Sequence, residues 1–375
     1  MRYILFSFTR KAAALSSQLH KNIIENGDQC ISYTTVKQEL PDLITKLEQP
    51  LSRQLEETFH NVDAIIFVSA CAIAVRSIAP FLESKTTDPA VIVIDELGQY
   101  AISLLSGHIG GGNELTKQVA DWIHATPIIS TATDLNNLCA VDVFATKNNM
   151  FIDNMKLAKQ VSSDILDGQK IGLYSDFSIE SQIPNELIFY SATNTIPNIL
   201  KDSSTNDTIL IGSTPSYSAP PSLGIIIGLD DSKTIFQENL HLIPKIITLG
   251  IGCKKGTPIE TIKSTVLQTL SKHNISIHAV KQIASIDLKA NEEGLLTLCQ
   301  EYRLPFITNS AEELASLEGD FTPSSFVQSI TGVNNVCERA ALYQKPQGKF
   351  IIRKTAENGV TIAAVISPYN IVFDF

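Results

Sequence analysis

The sequence predicts an α/β protein: two α/β domains, the first on a parallel sheet and the second on a mixed sheet, joined by a small variable middle domain. Three observations predict it. Short, apolar, β-branched runs alternate with stretches of helical spacing in the first third of the chain. The same alternation returns after Pro244, and a tract rich in Pro, Ser and Asn separates the two. The domains are read as residues 1–135, 136–243 and 244–375, in keeping with roughly 100–200 residues per domain.

Each element has its own reason. The opening MRYILFSFTRKAAAL lacks the apolar core of a secretory signal and reads as a strand over 2–8 followed by a helix. Residues 63–70, 90–95 and 127–131 are continuous apolar runs, as strands buried on both faces should be. Between the last two, apolar residues at 115, 119, 122 and 123 predict a helix over 113–125, capped by Asn113 and stopped at Thr126-Pro127. In the middle domain, 151–168 reads as a helix closed by Gly168 and 170–175 as a strand. TILIG (208–212) and LGIIIGL (223–229) are further strands in a loop-rich stretch. In the third domain a strand over 245–253 enters a glycine turn, and Pro258 begins a helix over 257–274. Then come a strand at 279–287, a helix at 291–303 and a strand at 305–309. Helices over 310–318 and 333–343 precede a hairpin over 348–367 that turns at Glu357–Gly359.

Composition narrows the function classes. Of 375 residues, 44% are hydrophobic and 18% charged, which supplies packed cores and argues against disorder. Lys and Arg total 29 against 39 Asp and Glu, a formal net charge of -10. Such a chain is poorly suited to neutralising phosphates, so no nucleic-acid partner is expected. The longest apolar stretch, residues 65–75, is interrupted by Ser69 and followed by Arg76, short of the ~20 residues of a membrane span. No membrane partner is expected either. Six cysteines, at 30, 71, 139, 253, 299 and 337, form no CxxC and have no His at zinc-finger spacing. Scattered thiols fit a reducing cytosol, and the expected location is cytoplasmic.

Four segments could carry chemistry. In SGHIGGGNELT (106–116), three consecutive glycines let the backbone approach a ligand, and the N–H groups opening the next helix offer an anion site. His108 and Glu114 flank it, both able to move protons. The pattern is neither a dinucleotide fingerprint nor a phosphate-binding Walker loop. The competing reading is a tight loop whose glycines permit close helix–sheet packing. In GIGCKKGT (250–257), the turn at Gly252 carries Lys254 and Lys255, which suit carboxylates or phosphates as well as a solvated surface. Cys253 reads as a buried thiol, because no paired His is nearby in sequence. In SIDLKANEEGL (285–295), Asp287 and Lys289 stand at a strand's end, where α/β proteins place ligands; Glu292 and Glu293 read as ordinary helix-start acids. In TGVNNVCERAAL (331–342), Thr331-Gly332 opens a helix, and Glu338 is an interior charge or a solvent face. Arg76, in AVRSIAP, lies on a helix near the sheet edge, by default a surface arginine.

These segments, in this order, resemble the CbiG family of cobalamin-biosynthesis proteins. IAVRSIAP, KTTDPAVIVIDE, ISLLSGHIGGGNELT and PIISTATD (73–134) are similar to its N-terminal signature. GIGCKKGT, IASIDLKANEEGL and SSFVQSITGVNNVCERAALY (250–343) are similar to its C-terminal domain. The chain departs from the family pattern at Cys71-Ala72, at Gly112 in place of alanine, and at Cys337 and Arg339 around Glu338.

The resemblance implies a hydrolase of the anaerobic, cobalt-early route to vitamin B12. It would open the δ-lactone of cobalt-precorrin-5A and release C20 with its methyl group as acetaldehyde, leaving cobalt-precorrin-5B. Cobalt arrives inside this tetrapyrrole-derived substrate, so no cofactor or resident metal is expected; other enzymes of the route are possible partners. The chemistry asks for a general base, an oxyanion site and cations for the substrate's acetates and propionates. His108 is expected as the base and Glu114 as a second proton-transfer group, with Gly110, Gly111, Gly112 and Asn113 as the anion cradle. Arg76, Lys254, Lys255 and Lys289 are expected to converge on the carboxylates, with Gly252, Asp287, Thr331, Gly332 and Glu338 in the binding surface. A non-catalytic corrinoid-intermediate binding protein and a nucleotide- or sugar-phosphate-binding enzyme remain alternatives.

Overall fold

The apolar runs of the first domain become the centre of a seven-stranded sheet. In chain order the strands are β1 (Arg2–Ser7), β2 (Gln29–Thr34), β3 (Ile44–Lys46), β4 (Ala64–Val68), β5 (Ala90–Ile94), β6 (Tyr100–Leu105) and β7 (Thr126–Ile128), arranged β3-β2-β1-β4-β5-β6-β7. The computed structural model describes residues 1–37, 39–84, 87–108, 110–136, 138–190 and 221–373. Alternate side chains serve two cores. Leu5, Ile66 and Ile92 pack under helices α1 (Arg10–Glu25) and α4 (Gly112–Ile123), while Phe6, Phe67 and Val93 pack under α2 (Leu51–Thr58) and α3 (Cys71–Ile78). Burial on both faces explains why these runs show no polar alternation.

The sheet is parallel-dominated, not wholly parallel as expected: β5 and β6 pair antiparallel, while β6 and β7 are parallel to each other. The cause is local. The Asp95 carboxylate accepts hydrogen bonds from the backbone N–H groups of Leu97, Gln99 and Tyr100, and Gly98 takes a left-handed φ of 68°. A link this short cannot span the crossover that a parallel neighbour needs. Consequently β6, α4 and β7 form a reversed βαβ unit whose strand ends emerge at the amino-terminal edge of β5. Two short helices, α5 (Ala132–Leu135) and α6 (Val141–Lys147), follow.

The middle sheet contains β8 (Met150–Ile152), β9 (Ile171–Ser175), β10 (Leu187–Phe189), β11 (Leu223–Ile227) and β12 (Glu238–Pro244), in the order β10-β9-β11-β12-β8. The helix expected over 151–168 is shorter, α7 (Met155–Leu166). Phe151 and Ile152 pair instead with β12, and the Asn154 side chain caps α7 by accepting from Lys156 and Leu157. The expected strand TILIG (208–212) lies outside the described residues.

The third sheet is mixed, as expected. Its strands are β13 (Ile247–Cys253), β14 (Val280–Ile286), β15 (Phe306–Asn309), β16 (Lys349–Glu357) and β17 (Val360–Ile366), in the order β15-β14-β13-β17-β16. Helices α8 (Ile259–Lys272), α9 (Glu293–Tyr302), α10 (Ala311–Ala315), α11 (Ser325–Thr331) and α12 (Cys337–Tyr343) accompany it. Thr331 and Gly332 close a helix and do not open one: Gly332 is the left-handed C-cap of α11, at φ 76°. The chain forms two compact units, one from Met1 to Val143 and one from Phe144 onward, so the middle and C-terminal sheets share a unit. That division falls within α6, whereas the sequence reading placed one boundary at 135/136 and another at 243/244. Among the described residues, no helix is long and apolar enough to cross a membrane.

Gly250 on β13 lets α12 touch the sheet: a Cβ there would lie 1.8 Å from the Cys337 carbonyl oxygen. Gly250→Ala is expected to cost about 1–3 kcal/mol through overpacking, seen as a lower thermal midpoint. An unchanged midpoint would contradict this packing.

Candidate active site

The reversed βαβ unit brings the loops after β6 and β7 to one place, as carboxyl ends of parallel strands do. The loop after β6 carries His108; the segment after β7 carries Thr131, Thr133 and Asp134. His108 Nε2 is 3.0 Å from Asp134 Oδ2 and 3.2 Å from Thr133 Oγ1. His108 Nδ1 is 3.3 Å from Asp142 Oδ1, on α6. Asn113 completes the cluster. Its Nδ2 donates to Thr131 Oγ1 (2.8 Å) and Asp134 Oδ2 (3.0 Å), while Ser103 Oγ donates to its Oδ1 (2.7 Å). Asp142 is buried, and Asp134, with 28% of its side chain exposed, is the more open carboxylate.

The glycines close the loop on itself. Gly111 N donates to His108 O, Gly112 N to Ser106 O and Asn113 N to Gly107 O. A Cβ on Gly110 would lie 2.5 Å from Ser106 Cβ, so close packing demands glycine there. Thus the amides of Gly111 and Gly112 are already committed, and the groove beside Gly110 is lined by Asp63 and Asp88, the wrong sign for substrate carboxylates. That geometry corrects the expected anion cradle. Asn113 is not the cap of α4 either; Gly111 is, with φ 73°, and Asn113 is buried in the first turn. Glu114 stands on the exposed face of α4, paired with Lys117, and no hydrogen bond among the described residues joins it to the His108 cluster. Arg76 is exposed in the last turn of α3.

In the second unit, the two predicted loops meet through a residue read as an ordinary helix-start acid. Buried Glu292 accepts from Gly256 N (2.6 Å) with one oxygen and from Lys289 Nζ (2.8 Å) with the other. Lys289 is therefore already neutralised, while Lys254 and Lys255 are exposed and Asp287 is an exposed residue of the turn after β14. Gly252 lies within β13, its carbonyl accepting from Thr361 Oγ1. Burial raises the Cys253 thiol, as suits an inert residue. Glu338 is wholly buried and accepts from Thr322 N, Thr322 Oγ1, Asn335 Nδ2 and Lys354 N, so it ties α12 to β16. Of the four cations expected to converge, only Lys289 is locked into a site, and its partner is internal.

Three family descriptions match the chain in order: Cobalamin synthesis G N-terminal over residues 53–134, Cobalamin biosynthesis central region over 139–244, and Cobalamin synthesis G C-terminus over 247–365. The chain is 34% identical to a cobalt-precorrin-5A hydrolase of Salmonella typhimurium over 310 residues, 82% of each chain. The chain belongs to the CbiG family. A cobalt-precorrin-5A hydrolase of Priestia megaterium is 31% identical over 320 residues, 84% of this chain and 82% of that one. The crystal structure of CobE, a protein from the cobalamin biosynthetic pathway, aligns at 27% identity and a TM-score of 0.32, covering 34% of this chain and 94% of that one.

Within this CbiG-family chain, Asp134, Asp142, Thr131 and Thr133 are the residues that sequence reasoning missed around His108. PIISTATD stands out as a signature, but nothing in the local sequence marks a partner for its carboxylate. Asp142 lies beyond it, with no local pattern to mark it. Their effect is electrostatic. Chiefly through Asp142, and with Asp134 adding, the two carboxylates raise the His108 pKa above its ordinary 6.5, while burial opposes them. Both ring nitrogens face carboxylates, so the imidazolium satisfies the site better than either neutral tautomer. A raised folded pKa stabilises the protein below pH 6.5, and that contribution is lost as pH rises through the folded value. Asp142→Asn is expected to lower the His108 pKa in an NMR titration and to flatten the loss of thermal stability above pH 6.5. A His108 pKa unmoved by that substitution would refute the coupling.

Proposed function

We infer that this chain is a cobalt-precorrin-5A hydrolase. The observation that carries the reading is its alignment, over more than four-fifths of its length, with two relatives of that name. The substrate is then a tetrapyrrole-derived macrocycle that brings its own cobalt, and the reaction asks no resident metal or cofactor of the protein. A cytoplasmic place of action belongs to the same reading.

His108 has the chemistry to move one proton twice. The two carboxylates raise its pKa and favour the protonated ring, so it is suited first to act as an acid. Water adds to the lactone carbonyl, and Asp134, the more open carboxylate, takes its proton. The acyl C–O bond then breaks, and the departing C20 oxygen receives the His108 proton. Neutral His108 is now the base expected from sequence. It removes that proton again, the C20–macrocycle bond breaks with its electron pair passing into the macrocycle, and acetaldehyde leaves. Asp142 holds the ring and stabilises its charged form, a positioning role. Asn113 and Ser103 hold Asp134 in place.

Neither alternative gains support from this geometry. Binding without turnover would not need an imidazole between two carboxylates, and the amides a nucleotide phosphate would use are spent within the loop.

Anaerobic incubation with cobalt-precorrin-5A is expected to release acetaldehyde. His108→Gln should lower kcat by about 10²–10⁴-fold, the range for a general acid–base residue. Glu114→Gln should leave turnover near wild type, because its carboxylate serves Lys117. Well-folded protein that releases no acetaldehyde would overturn the assignment. Near-wild-type turnover in His108→Gln would remove its proposed role.

A further inference from the structure

The second unit contains a cleft that no motif announced. Its volume is about 540 Å³, within the range of small-molecule sites. Lys147, Lys245, Lys281 and Lys345 line it, and no Asp or Glu does among the described residues. These four come from separate places: the end of α6, the link from β12 to β13, the second residue of β14 and the segment after α12. No ion pair among the described residues holds Lys245, Lys281 or Lys345. In a chain of net charge -10, this gathering of cations runs against the global sign.

The walls are rigid. Lys245 N donates to Asn149 O (3.0 Å), and Asn149 Nδ2 returns a bond to Lys245 O (3.2 Å). Tyr369 Oη donates to Asn148 O (2.7 Å), while Asn148 exchanges two bonds with the Val372 backbone. These bonds cross-link the segments that carry Lys147 and Lys245. On the same lining, the buried Ser367 hydroxyl has no hydrogen-bond partner among the described residues. A buried polar atom unmet among the described residues, beside Lys245, Lys281 and Lys345, which no ion pair among those residues holds, suits an anionic ligand.

We propose that this cleft binds the acetate and propionate side chains along one edge of a polycarboxylate tetrapyrrole. Its chemistry favours that class. Ammonium groups spread over a cleft meet carboxylates spread around a macrocycle one by one, whereas a compact phosphate would engage only neighbouring cations. The identity of the ligand as the enzyme's own macrocycle rests on the hydrolase reading; the existence of the site does not. It also supplies the local positive charge that an acidic protein needs to hold a polyanion.

The test uses the full chain and uroporphyrin III, an octacarboxylate macrocycle, followed by fluorescence quenching over a range of salt. The triple variant Lys245→Ala/Lys281→Ala/Lys345→Ala is expected to weaken Kd by about tenfold or more and to flatten the salt dependence. A triple variant of exposed lysines elsewhere, Lys11→Ala/Lys21→Ala/Lys156→Ala, changes net charge equally and should change Kd far less. The Lys→Arg triple at the cleft should retain binding, which separates charge from misfolding. Equal effects of the two alanine triples, or none, would overturn the proposal. So would displacement of uroporphyrin by ATP at lower concentration than by unlabelled coproporphyrin, because the site would then prefer phosphate. Acetaldehyde released by wild type, with the uroporphyrin Kd of the cleft triple unchanged, defeats the cleft alone. Lysine-dependent uroporphyrin binding without acetaldehyde from wild type defeats the hydrolase reading and leaves the cleft standing.

Discussion

The candidate active site depends on a turn that takes no part in it. The Asp95 carboxylate gathers three backbone N–H groups and forces the chain back on itself, so β6 lies antiparallel to β5. Because α4 then returns the chain to a β7 parallel with β6, the loops after both strands open on the same edge. Without that reversal, the loop bearing His108 and the segment bearing Asp134 would have no reason to face each other. The three glycines of the loop serve the same end. They fold it tightly enough for the backbone to satisfy its own amides, and His108 is presented from a closed, stiff frame.

Charge placement follows a similar logic at two scales. Around His108, one buried and one more open carboxylate raise the pKa of the ring and favour its charged form. In the second unit, four lysines from distant parts of the sequence share one cleft. The lysines most visible in sequence were the adjacent pair Lys254 and Lys255, on an exposed turn, and Lys289, which Glu292 neutralises. Adjacency in sequence advertises charge. Only folding shows whether that charge is spent internally, left in water or gathered for a ligand.

Much of the fold was legible because burial on both faces leaves continuous apolar runs, as at β4 and β5. The closing hairpin was legible from Asn358-Gly359, both at positive φ. Short elements were not. Phe151 and Ile152 look helical beside α7, yet they pair with β12, and α11 has seven residues with Gly332 as its cap. Periodicity cannot assign segments shorter than about two helical turns, so long-range pairing decides them. In the site, His108 was legible from its loop. Glu114, expected beside His108, pairs instead with Lys117 on the exposed face of α4, because sequence proximity says nothing about which face of a helix a side chain occupies.

By itself the sequence determined the α/β class, the glycine loop with His108, and the family through ordered motifs. Each depends on residues near one another in the chain, where local patterns carry the information. Tertiary structure alone decided that His108 would be held by Asp134 and Asp142, that Glu292 would consume Lys289, and that Lys147, Lys245, Lys281 and Lys345 would meet. Apart from Lys289 and Glu292, which are three positions apart, those contacts join residues separated by tens to hundreds of positions. Their electrostatic consequences exist only at the few ångströms that folding imposes.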